Sequence, residues 1–226
     1  MRRLARGHWQ LGLLTLLIVL FWPTWVVAPL KVLIVFLHEI SHAIATLLTG
    51  GSVLGLTIDP MQGGMVISRG GNRFLILTAG YMGSLLIGAL LMIAAVRTHW
   101  DRIVLGGLGL VLLAVTGLYV RDFFAIGFGM VTGLLMLGVA RFLPRDVNDL
   151  TLRVIGLTSM IYVPLDIYSD TIARSHLLSD ARMLADEFGG TATLWGWAWL
   201  IISLAVIVLT LRRGLGRDSN IRLRGR

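Results

Sequence analysis

The 226-residue chain has no cysteine. Disulfides, iron–sulfur clusters and thiolate metal sites are therefore excluded, and any metal must be held by His, Asp or Glu. Charge is scarce as well: 14% of residues are charged, against about 25% in a typical soluble domain. Glutamate occurs only as Glu39 and Glu187. Neither a repeat of solenoid period nor a low-complexity linker is present. What dominates instead is apolar sequence, 56% of residues, in runs long enough to cross a bilayer. The composition predicts an all-α polytopic membrane protein: residues 1–226 as a single membrane-embedded domain, multi-pass, in the cell membrane.

A net charge of +8 raises nucleic acid as a partner, but the basic residues do not form a stripe interleaved with aromatics. They gather at the two ends, with Arg2, Arg3 and Arg6 at one and the 212–226 tail at the other, and elsewhere flank apolar runs. That pattern fits a lipid bilayer and excludes nucleic acid.

Along the chain, residues 11–28 read as a first span, interrupted by Pro23 and kept as an uncleaved segment rather than a signal peptide. Residues 32–48 form the second, closed by Gly50-Gly51. Residues 53–73 are glycine-rich and short of apolar runs, so 53–59 and 65–69 are expected as the strands of a β-hairpin inserted after the second helix. Further spans follow at 74–96, 103–120, 123–142, 147–167 and 191–211, the last opening with Trp195, Trp197 and Trp199 as interfacial anchors. The third span carries Gly80, Gly83, Ser84 and Gly88 for close packing. Between the last two, residues 168–190 are polar and expected outside the membrane, with an amphipathic helix. The count is six to seven spans. Seven would put the basic ends on opposite sides and six on the same side, and charge counting alone leaves both open.

The second span contains His38-Glu39-Ile40-Ser41-His42. Two imidazoles and a carboxylate are costly in hydrocarbon, so ionisable residues there mark function. Histidines four apart share one helical face and can converge on one zinc, and Glu39 beside them can take a proton from water. A catalytic zinc needs a third protein ligand and one open position. Asp166, at the end of an apolar run and after Pro164, is the best candidate. Asp170, one turn further on the same face, could replace it or orient a ligand. Asp59 fits better as a solvated turn residue. His8 and His99 stand beside tryptophans at membrane edges and His176 in the polar segment, so none is expected to bind metal.

This order of features resembles the site-2 protease family of intramembrane zinc metalloproteases, peptidase family M50, over residues 32 to about 180. Asp166 and Asp170, followed by Ser179-Asp180-Ala181, resemble its M50B-like branch in particular. The resemblance implies one zinc per chain held by His38, His42 and Asp166, with Glu39 as general base. It also implies that peptide bonds within or beside spans of membrane-protein or peptide substrates are hydrolysed. Two departures stand out. Site-2 proteases commonly have Leu-Asp-Gly at the third ligand, where this chain has Leu165-Asp166-Ile167. They have Ala-Gly-Pro-x-x-Asn after the hairpin, where this chain has Ala79-Gly80-Tyr81-Met82-Gly83-Ser84. No stretch is long and polar enough to be a PDZ domain. The hairpin could hold an unwound substrate on an edge strand or simply plug the cavity. The alternative to an enzyme is a non-catalytic, protease-derived scaffold that binds other transmembrane proteins. A haem protein is disfavoured, since histidines four apart on one helix cannot flank a haem, and the lack of two similar halves disfavours an inverted-repeat transporter.

Overall fold

The computed structural model describes residues 2–214 and 218–221, with side chains from Gly7 onward. Helix α1 (Arg2–Leu20) stops short of the expected first span, because turns occupy 21–27 around Pro23, whose ring cannot continue a helical ladder. Its apolar part, Gly7–Leu20, is shorter than any of the six helices long enough to span a membrane. Helix α2 (Ala28–Leu48) opens with proline in its first turn, where a missing N–H costs nothing. It closes on Gly50, whose φ of 81° suits a left-handed cap; Gly51 N–H then donates to the Thr46 carbonyl at 2.8 Å.

Strands β1 (Ser52–Ile58) and β2 (Gly64–Arg69) form the expected antiparallel hairpin, with an irregularity between Val53 and Gly55. Helices α3 (Arg73–Arg97), α4 (Asp101–Tyr119), α5 (Phe123–Phe142) and α6 (Arg145–Ile167) follow, and a wide π-type turn, Tyr168–Ala173, extends α6 beyond Pro164. Short α7 (Asp180–Phe188) and then α8 (Ala192–Gly214) complete the described fold. Asn72 and Asp122 cap α3 and α5, their side chains accepting from Leu75 N–H at 3.1 Å and Ala125 N–H at 2.7 Å. Among the described residues, six helices are long and apolar enough to cross a membrane: α2, α3, α4, α5, α6 with its extension, and α8.

Small residues set the close approaches. A Cβ on Gly156 of α6 would lie 2.8 Å from the Gly88 carbonyl oxygen of α3, and one on Gly109 of α4 would lie 2.9 Å from the Gly133 carbonyl oxygen of α5. Ser159 Oγ donates to the Ser84 carbonyl at 2.8 Å across the same α3–α6 seam.

The bundle has two distinct ends. At one, the Arg97 guanidinium donates to the Arg213 carbonyl, Arg102 to the Leu143 carbonyl at 3.0 Å, and Arg145 to Asp101 at 2.6 Å. Ser219 N–H reaches back to the Gly7 carbonyl at 2.9 Å, and Arg153 donates to the Ser219 carbonyl. The start of α1, the ends of α3, α5 and α8, and the starts of α4 and α6 therefore meet there. Of the expected 212–226 tail, Arg212–Gly214 continue α8 and 218–221 fold back on α1; the rest lies outside the described residues.

The opposite end carries the hairpin, which bridges Leu56 to Val120 in the α4–α5 turn, together with α7 and the start of α8. Within the polar 168–190 segment the expected amphipathic helix is α7, which buries Asp180, Ala181 and Leu184 as it packs on α3 and α8. One expectation changes here. Trp199 is buried against Tyr81, with ring centroids 5.4 Å apart, instead of anchoring at an interface, because it faces inward on α8.

Candidate metal centre

His38 and His42 lie one turn apart on the inner face of α2, where α3 passes close by. Gly80 of α3 makes that approach possible. A Cβ there would sit 2.5 Å from His42 Nε2 and closer still to His38 Nε2, so any side chain would occupy the space between the imidazoles. The His42 Nδ1–H donates to the Ile76 carbonyl at 2.7 Å, which fixes the ring and leaves the Nε2 lone pair facing inward.

The third group is Asp180. Its Oδ2 lies 3.0 Å from His38 Nε2 and 3.2 Å from His42 Nε2. Ser179 delivers it by capping α7, its Oγ accepting from Arg182 N–H at 3.2 Å, so Asp180 is the first helical residue. Burial alone would raise the Asp180 carboxyl, but the His42 and His38 imidazoles outweigh it and hold the group well below the usual carboxylate range.

These residues fit a zinc ion. The three ligand atoms lie within 4.8 Å of one another. Metal–ligand bonds of about 2.0–2.2 Å in a tetrahedron put neighbouring ligand atoms about 3.3–3.6 Å apart. The two measured edges come close to that, and the donor set is the nitrogen-and-oxygen one that a cysteine-free chain permits.

Glu39, next to His38, is buried and lines the same cavity of about 420 Å³. Gly64, the first residue of β2, covers it; a Cβ there would lie 2.6 Å from Glu39 Oε1. Gly64, Met65, Val66 and Ser68 of β2 also line the cavity.

Asp166 and Asp170 line this cavity too, but the tight group with the histidines contains neither. Asp170 accepts from the Tyr81 hydroxyl at 3.4 Å and pairs with Arg174, one turn on. Tyr81, standing where site-2 proteases have proline, also packs edge-on against His38 at 4.6 Å. Ser84, at the position of their asparagine, does not face the cavity: it is buried, and its hydroxyl donates to the Gly80 carbonyl at 2.8 Å. Asp180 joins the histidines although nothing in the sequence marks it as a candidate ligand. Its local signal was Ser179-Asp180 ahead of an apolar stripe, a helix start.

Taken together, these features define a polytopic membrane protein with a candidate His–His–Asp metal centre facing an internal cavity. A family model described as Peptidase M50B-like matches residues 11–210, and the chain belongs to that family. No curated protein and no solved structure matches it.

Proposed function

We propose that the protein is an intramembrane zinc metallopeptidase that hydrolyses peptide bonds within or beside the spans of other membrane proteins. The observation that carries this reading is the meeting of His38 Nε2, His42 Nε2 and Asp180 Oδ2, with edges of 3.0 and 3.2 Å, beside the Glu39 carboxylate. Membership of a metallopeptidase family supports it. His38, His42 and Asp180 would hold the zinc. When bound, it would supply a water of lowered pKa, from about 16 toward about 7, and an electrophile for the scissile carbonyl.

The remaining steps belong to the protein. Glu39 takes the proton of the attacking water on its carboxylate and passes it to the leaving amine. Ile76 keeps His42 in the tautomer that presents Nε2. A helical substrate hides its carbonyls in its own hydrogen bonds and must unwind to react. Strand β2 pairs with β1 along one edge and lines the cavity, so its other edge is suited to hold the unwound segment as an added strand. Asp166 and Asp170 shape the cavity wall beside the metal ligands.

The test is Glu39→Gln. Purified variant should retain about one zinc per chain, while cleavage of a transmembrane substrate falls by roughly 10²–10⁴-fold. Unchanged cleavage would contradict the mechanism. Zinc bound with no cleavage by the unaltered protein favours the non-catalytic scaffold.

A further inference from the structure

The two ends of the bundle differ in charge. At the end where the chain's first and last described segments meet, α3 finishes on Arg97, α5 reaches Arg141, and α8 finishes on Arg212 and Arg213. Arg102 and Arg145 stand in the first turns of α4 and α6, and Arg153 is two turns further into α6. The sequence adds Arg2, Arg3 and Arg6 before Gly7, and Arg217, Arg222, Arg224 and Arg226 after Gly214. Against these stand Asp101, Asp146, Asp149 and Asp218.

The cavity end reverses the balance. Its basic residues are Lys31, Arg69, Arg73, Arg121, Arg174 and Arg182, and every other acidic residue of the chain lies in that half, from Glu39 and Asp59 to Asp186 and Glu187. With six spans, both ends of the described chain fall on one side, as Ser219 and Gly7 do, so one orientation satisfies every loop. Arginine in short loops and flanks stays on the cytoplasmic side, where anionic headgroups attract it at about 1 kcal/mol per residue near the surface.

We infer that the arginine-rich end lies against the cytoplasmic leaflet, and that the cavity with His38, His42 and Asp180 opens toward the extracytoplasmic side. Substrate segments are then drawn from that side, on or just within the outer leaflet. The inference rests on charge and topology and holds whether or not the protein cleaves peptides; for the proposed peptidase it fixes the compartment of the substrate.

Because the chain has no cysteine, single cysteines report topology without background. Asp186→Cys, on exposed α7, and Leu143→Cys, between α5 and α6, are the paired probes. Each is treated with a membrane-impermeant maleimide in intact cells, in permeabilised cells and after detergent extraction, the last confirming that both thiols react. The orientation predicts that Asp186→Cys is labelled in intact cells and Leu143→Cys only after permeabilisation. The reverse pattern, or equal labelling of both in intact cells, overturns it. Zinc content and cleavage do not enter this readout, so its failure is distinct from failure of the peptidase reading.

Discussion

At the scale of single residues, the centre depends on space as much as on ligands. The imidazoles can face one another only because position 80 carries no side chain, so Gly80→Ala should cost most of the bound zinc, and activity with it, while the bundle stays folded. Metal analysis together with the thermal midpoint checks this; full zinc occupancy in a folded variant would show that the close approach does not matter. His38, Glu39 and His42 were readable in the sequence because their relation is local: the helical repeat alone puts both histidines on one face. Asp180 was not, because its relation to them spans 142 positions and depends on how α7 packs. Asp166 looked better from sequence because it sits in an apolar run, where a carboxylate demands explanation. In the structure it lines the cavity wall, while Asp180, from the polar segment, is the carboxylate grouped with the histidines.

At the scale of elements, the helices and the hairpin were legible because hydropathy and glycine punctuation mark them directly. Phe123–Phe142 was read to the residue, and the hairpin strands to within one residue at either end. The first span is shorter than its hydropathy implies because the apolar run continues through Pro23, while the helix stops at Leu20. Packing between elements is finer than hydropathy reveals. At the α3–α6 seam, Gly156→Val should overpack against the Gly88 carbonyl and cost about 1–3 kcal/mol. The thermal midpoint should fall by roughly 2–4 °C for each kcal/mol. Gly107→Val, where nothing lies within 4 Å, should leave it nearly unchanged. Equal midpoints for the two would remove the seam from the account.

At the scale of the whole molecule, the candidate metal centre joins elements distant in sequence: α2 contributes two of its groups, α7 the third, α3 the clearance and β2 the cover over Glu39. A metal bound only by the folded protein stabilises it by mass action. Chelation should therefore lower the thermal midpoint of the unaltered protein and leave that of Asp180→Ala unchanged; an equal fall in both would place the effect elsewhere. The most direct measurement of the central claim is the zinc content of the purified protein beside Asp180→Ala and Asp166→Ala. The account predicts about one zinc per chain in the unaltered protein and in Asp166→Ala, and little in Asp180→Ala. Zinc retained in Asp180→Ala but lost from Asp166→Ala would contradict it.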